Sequence, residues 1–244
     1  PVDFPPVELA AHAGQKVLAP WPVALHRSRQ GQAGRFTLHA GELVNAGETA
    51  SVVRNETHAT GFIPNGLILP IPADDRAAPG DVVLRWTEDG TGIDLAIVVA
   101  GGTPKAPRVA PISKFSSEPR AESIPAGSFM KLMGDLQPGC TAACRSGSGR
   151  HLTVVLQVVD DRVLGLSWTD ELRVYARGDC APLPVRPEVE VGDTVQVAPL
   201  GRFRAARVRA VLPDLGLVEV EVQWGSREHE EKVPFGRVWP GAFE

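Results

Sequence analysis

Hydrophobic and polar positions alternate over short stretches of the chain, and turn residues end each stretch. The clearest example is residues 218–222, which read Val-Glu-Val-Glu-Val. This alternation is typical of an antiparallel strand with one face on the core and the other in solvent. The 25 glycines and 22 prolines make up nearly a fifth of the 244 residues, so long helices are not expected. The pattern predicts an all-β protein, with one short helix at residues 128–136, where Met130 and Met133 have helical spacing.

A weak internal repeat divides the chain into four units. Four strands are each led by a glycine, and by subtraction these glycines lie 66, 59 and 53 residues apart: Gly14, Gly80, Gly139 and Gly192. Units of about 50–60 residues with four or five short strands have the size of small barrels. We therefore predict units at residues 10–73, 78–115, 138–185 and 189–241, packed as two pairs, with a linker at residues 116–137.

Charge and hydropathy exclude several classes of protein. The net charge is −4 and the arginines are scattered, which argues against a protein whose main role is to neutralise nucleic-acid phosphates. Hydrophobic residues make up 43% of the chain, enough for a core, but no window approaches the roughly 18 uninterrupted apolar residues of a membrane span. We expect no membrane partner.

The three cysteines, Cys140, Cys144 and Cys180, make an odd count in a long chain, so they do not indicate a disulfide framework. Their spacing also falls short of the four ligands of a zinc site. A reducing compartment is expected, which predicts an intracellular protein, cytoplasmic, or nuclear in a eukaryote.

No catalytic constellation is visible. The six histidines are dispersed without ligand spacing, and the segment 146–149 lacks the strand and helix that flank a nucleophilic serine in hydrolases. We predict that the chain is not an enzyme and carries no cofactor or metal.

Two segments resemble a known family. Residues 80–90 read Gly-Asp-Val-Val-Leu-Arg-Trp-Thr-Glu-Asp-Gly, and residues 201–208 read Gly-Arg-Phe-Arg-Ala-Ala-Arg-Val. These segments are similar to the first and second strands of Tudor domains, small SH3-like barrels of the royal superfamily. The resemblance implies tandem SH3-like, Tudor-like barrels that bind proteins or peptides, in some cases a methylated Lys or Arg held between aromatic faces.

The resemblance also implies candidate cage residues. It assigns Trp86 to the second unit and Phe203, Trp224 and the acidic Glu228 to the fourth. In the first unit, Trp21 between two prolines and Phe36 are the candidates for facing a ligand. A Trp at the end of a strand more often packs against a core, which is the competing interpretation for Trp86, Trp168, Trp224 and Trp239.

Two hypotheses follow. The first is a non-enzymatic protein-interaction module that uses the grooves between barrels, or one partial cage, to hold a peptide or a partner protein. The alternative is a nucleic-acid-binding array, because four arginines cluster near one strand of the fourth unit: Arg202, Arg204, Arg207 and Arg209.

Overall fold

A computed structural model describes residues 4–21, 35–88, 90–118, 120–147, 149–224 and 227–243. The strands of these residues form four antiparallel sheets of five strands each, arranged in a ring. The prediction of an all-β protein built from repeated small sheets is confirmed. The described helices are short 3-10 turns, and none has the length or the apolar character needed to cross a membrane.

Each sheet is built from five consecutive strands, which define units 1 to 4. Unit 1 contains β1 Lys16–Pro20, β2 Leu38–Asn45, β3 Ala50–Asn55, β4 Thr60–Pro64 and β5 Leu69–Pro70. Unit 2 contains β6 Val82–Arg85, β7 Asp94–Thr103, β8 Ala106–Pro111, β9 Glu122–Ser123 and β10 Phe129–Lys131. Unit 3 contains β11 Thr141–Ser146, β12 Gly149–Val159, β13 Arg162–Ser167, β14 Leu172–Ala176 and β15 Cys180–Pro182. Unit 4 contains β16 Thr194–Val197, β17 Arg204–Leu212, β18 Leu217–Trp224, β19 Arg227–Pro234 and β20 Val238–Pro240.

All four units have the same topology. The first four strands form a meander, and the fifth strand pairs with the far side of the first. A 3-10 helix precedes the fifth strand in three units, at Asn65–Leu67, Arg177–Asp179 and Phe235–Arg237. The second strand of every unit also carries a shift in its register with the third strand. The four sheets are therefore copies of one pattern.

The four leading glycines predicted from the sequence occupy equivalent turns. Their φ angles are 83°, 94°, 88° and 99° for Gly14, Gly80, Gly139 and Gly192. In each turn, the residue after the glycine donates its backbone N–H to the carbonyl three residues earlier. A positive φ at the third position is the requirement of a type II turn, and glycine meets it without strain.

The stretch at residues 116–137 differs from its prediction. It contributes β9 and β10 to the sheet of unit 2, so this unit extends well beyond residues 78–115. The helix predicted at residues 128–136 is absent, because Phe129–Lys131 pairs with β6 as a strand. The fully buried Phe129 side chain holds this strand against the core of unit 2.

The cysteine prediction is also wrong. Cys144 and Cys180 form a disulfide, while Cys140 is a buried free thiol. The two bonded residues lie directly opposite each other in β11 and β15, so the bond joins the first and last strands of unit 3. Because structural disulfides are rare in reducing compartments, the cysteines do not support the intracellular prediction.

Units 1 and 2 join in the same way as units 3 and 4. In each pair, the second strand of one unit exchanges two backbone hydrogen bonds with the loop after the first strand of the next. The donor and acceptor pairs are Ala40 to Gly90 and Gly92 to Leu38 in the first pair, and Leu152 to Gly201 and Phe203 to Arg150 in the second. His39 and His151 lie at the centres of these contacts, opposite Thr91 and Arg202.

The two pairs share their hydrophobic cores. The largest cluster contains the core of unit 1 together with Leu84 of unit 2 and Leu156 of unit 3. Ile97 and Ala110 of unit 2 belong instead to the core of unit 4. Since a unit of this size buries little apolar surface by itself, contacts between units supply part of the burial that stabilises each one.

Candidate functional site

One pocket is lined by residues from all four units. It has a volume of about 170 Å³, and we call it the junction pocket. Most of its lining residues are apolar, but nearly half of its surface is polar, and Ser167, Asp170 and Arg237 contribute polar side chains. Its full lining is Leu38, Gly92, Ile93, Leu152, Val154, Leu166, Ser167, Trp168, Asp170 and Arg237.

The turn between β13 and β14 places Trp168 at the pocket. The Ser167 hydroxyl accepts hydrogen bonds from the backbone N–H groups of Thr169 and Glu171, at 3.2 and 3.1 Å. These bonds satisfy the backbone of the tight turn and fix its shape. The Trp168 side chain is 53% exposed, which is unusual for so large an apolar group. Its indole lies over Gly201, where a Cβ atom would overlap the ring.

Asp170 fixes the same turn to unit 1. Its backbone carbonyl accepts the N–H of Phe36 at 2.7 Å, and its Oδ2 accepts the hydroxyl of Thr37 at 2.5 Å. Asp170 has a φ of 59°, a left-handed conformation that Asp and Asn tolerate better than most residues. The pocket wall from unit 3 is therefore held in position by unit 1.

Arg237 brings a positive charge to the pocket from unit 4. It ends the 3-10 helix Phe235–Arg237, immediately before β20. Its side chain is open to the solvent of the pocket, while the surrounding protein limits the hydration of the guanidinium; this desolvation lowers the pKa of Arg237. Arg237 forms no ion pair with any residue in the described part of the chain. A cation in such surroundings attracts an anionic ligand group.

Trp86 lies between units 1 and 2. Its indole N–H points at the carbonyls of Val17 and Gly41, at 3.1 and 3.2 Å, and the Lys16 ammonium lies 4.5 Å from the centre of the ring. Trp86 therefore connects two units, as the packing interpretation expects. It also borders a cleft of about 100 Å³ that carries three carboxylates, from Glu42, Glu56 and Glu88.

The two candidates in unit 1 have different surroundings. Phe36 is 6% exposed and belongs to the large core cluster, so its ring has no face open to a ligand. Trp21 is half-buried, and its ring meets the imidazole of His39 edge to face at 4.9 Å. Trp21 and His39 line a cavity of about 20 Å³, which is room for a water molecule only.

Phe203 belongs to an aromatic cluster in unit 4. Its ring centre lies 5.1 Å from that of Phe243, and Trp239 lies 5.1 Å from Phe243 on another side. The Arg150 guanidinium of unit 3 stacks over Phe243 at 5.0 Å. This protein cation already occupies the kind of position that a ligand cation would take in a cage.

The remaining two candidates lie on neighbouring strands. Trp224 ends β18, where its backbone pairs with Arg227, and its side chain lies outside the described residues. Glu228 is exposed on β19 opposite Gln223. The six candidates therefore do not meet at one place: Trp86, Trp21 and Phe36 lie in or beside unit 1, and Phe203, Trp224 and Glu228 lie in unit 4.

Sequence reasoning misses the junction pocket. The sequence favours packing for Trp168, and Arg237 is one scattered arginine among many. The polar turn at residues 169–171 places Trp168 at the end of a strand, a position where a Trp more often packs against a core. The meeting of four units at this turn depends on tertiary contacts that no local pattern encodes.

Comparison with known proteins identifies no family. The chain matches no protein-family model, and no curated protein is similar to it. Among the described residues, no group of three His, Cys, Asp or Glu side chains lies close enough to hold a metal ion.

Proposed function

We propose that the chain is a non-enzymatic protein-interaction module made of four SH3-like, Tudor-like units. The topology supports this proposal, because each fifth strand pairs with the first and a 3-10 turn precedes it in three of the units. Each unit also has the number of short strands expected of a small barrel.

The observation that carries the proposal is the junction pocket. Half-exposed Trp168 and the Arg237 guanidinium line one concavity of mixed polar and apolar surface to which every unit contributes. Tryptophan and arginine are the residues most often found to dominate binding energy at protein interfaces. A segment of a partner protein that inserts one side chain here is the ligand that this combination suits best.

If the ligand is a methylated Lys or Arg, we propose that it binds in the cleft beside Trp86 and not in the junction pocket. Glu42 is paired with Arg54 at 3.0 Å, but Glu56 and Glu88 form no ion pair with other described residues. These carboxylates favour a cationic side chain such as Lys or Arg, methylated or not.

Binding to peptide arrays tests both locations at once. Arrays of unmodified and methylated Lys and Arg peptides would be probed with the wild type, Trp168→Ala, and the double variant Glu56→Gln/Glu88→Gln. Phe62→Ala is the matched control, because Phe62 is 73% exposed and lies outside the junction pocket. We expect Trp168→Ala to weaken peptide binding about thirtyfold or more, since truncation of a hot-spot residue costs at least about 2 kcal/mol.

The outcomes separate the possibilities. If only the Glu56→Gln/Glu88→Gln variant lost peptide binding, the ligand site would be the cleft beside Trp86. Binding that is equal in all four proteins would contradict the proposed sites.

The nucleic-acid alternative stays a prediction. Arg209 forms an ion pair with Glu221, and Arg207 lies opposite the same glutamate in the register of β17 and β18. This carboxylate reduces the positive potential that phosphates require. Binding to duplex or single-stranded nucleic acid that weakens steeply with salt would support the alternative.

A further inference from the structure

The junction pocket combines one cation with an apolar wall, and this combination defines a narrower class of ligand. We propose that the pocket binds the C-terminal residue of a partner protein, with the terminal carboxylate on Arg237 and an apolar side chain against Trp168. The inference rests on the proposed function, because it names the ligand of the same site.

The charge of Arg237 favours an anionic ligand group. Arg237 has no carboxylate partner among the described residues, although Asp170 lines the same pocket. A guanidinium offers a planar fork of N–H donors that matches a carboxylate with two parallel hydrogen bonds. Because Arg237 is solvent-exposed at the pocket, its donors are accessible to a ligand.

Apolar side chains form the part of the pocket wall beside Trp168. Leu38, Ile93, Leu152, Val154 and Leu166 surround the space beside Trp168. A hydrocarbon or aromatic side chain placed there would lose contact with water, which favours binding by the hydrophobic effect. An Asp or Glu side chain carries a carboxylate but no apolar group beyond it, so it would fill only the charged part of the pocket.

The volume of the pocket and the position of Asp170 limit the size and the orientation of the ligand. A space of about 170 Å³ accommodates a group the size of one residue, not a folded segment. A chain terminus supplies a carboxylate and an apolar side chain on the same residue. The Asp170 carboxylate repels a second negative charge, so a dianionic phosphate is disfavoured and the single carboxylate must point towards Arg237.

The test compares peptides that differ only at their end. Short peptides ending in Leu, Ile or Phe would be prepared as free acids and as C-terminal amides, and their affinities measured by calorimetry. We expect the acids to bind about tenfold more tightly than the amides, the difference made by one charge-assisted hydrogen-bonding pair. This comparison uses the wild-type protein and so does not depend on the folding of any variant.

Substitutions of Arg237 then test whether its positive charge causes the preference for free acids. Arg237→Met keeps a long side chain without the cation, and it should remove the difference in affinity between the acid and the amide. Arg237→Lys keeps the charge without the fork and should retain part of the preference. The matched control is Arg177→Met, because Arg177 is an exposed arginine of the equivalent 3-10 helix in unit 3.

Two failures can be told apart. The carboxylate inference would be overturned if acids and amides bound equally, or if the preference for acids survived Arg237→Met. In that case, peptide binding that Trp168→Ala weakens would still support the proposed function. Peptide binding that responds neither to Trp168→Ala nor to Glu56→Gln/Glu88→Gln would overturn both.

Discussion

Gly201 decides where Trp168 can lie. Its φ is 79°, and a Cβ atom there would overlap the indole ring. Gly201→Ala should therefore lose about 1–2 kcal/mol to backbone strain, and it should also displace Trp168 from the pocket. We expect a changed tryptophan emission spectrum and weaker peptide binding, measured together with urea unfolding.

Gly14→Ala is the matched control for this substitution. Gly14 has a φ of 83°, and a Cβ atom added to it would have no neighbour within 4 Å, so it should show the strain without the change in emission. If both variants lost the same free energy of unfolding and kept the emission spectrum and peptide binding of the wild type, the contact between Gly201 and Trp168 would not contribute to binding.

Single residues also show the limit of prediction from sequence. Phe36 and Trp168 are both aromatic residues close to turns, yet Phe36 is 6% exposed and Trp168 is 53% exposed. Phe36 is covered because it belongs to the hydrophobic cluster that unit 1 shares with units 2 and 3, and its N–H also bonds to the turn of unit 3. Exposure at both sites is set by the neighbouring unit, which local alternation cannot reveal.

Among the elements, the disulfide of unit 3 gives the next prediction. Cys144 and Cys180 are 36 residues apart in sequence, and their bond restricts the unfolded chain over that length. Reduction should lower the free energy of unfolding by about 2–4 kcal/mol, because the unfolded state gains conformational freedom. Urea unfolding with and without a reductant measures the difference.

Cys140→Ala provides the control, since Cys140 is the free thiol. This variant should keep the full response to reductant, whereas Cys144→Ala/Cys180→Ala should lose it. A wild-type midpoint that did not move on reduction would contradict the prediction.

Strands with a clear pattern are predictable, and short ones are not. The alternation in residues 218–222 and the four leading glycines identify real strands and turns, because both signals are local. The strands Glu122–Ser123 and Phe129–Lys131 are too short to show a period, and their pairing with the sheet of unit 2 is a tertiary effect. The spacing of Met130 and Met133 therefore indicates a helix that does not form.

At the scale of the molecule, a histidine lies at the centre of each pair interface. His39 pairs with Thr91 between units 1 and 2, and His151 pairs with Arg202 between units 3 and 4. Desolvation by burial is the main cause that lowers the pKa of both. Arg173 and Arg202 lower the pKa of His151 further, whereas Glu56 and Asp170 oppose part of the effect at His39.

These shifts predict a loss of stability on mild acidification. A histidine whose pKa is lower in the folded state binds its proton more readily when unfolded, so the free energy of unfolding falls as the pH drops from about 6.5 towards the folded-state pKa. Protonation would place a poorly hydrated charge inside each pair interface, and the two contacts should weaken together.

Urea unfolding between about pH 7.5 and pH 5 should therefore show a shallower pH dependence in His39→Gln/His151→Gln than in the wild type. His12→Gln, at an exposed histidine outside these interfaces, should keep the wild-type slope; an unchanged slope in the double variant would show that the two interfaces do not respond to pH.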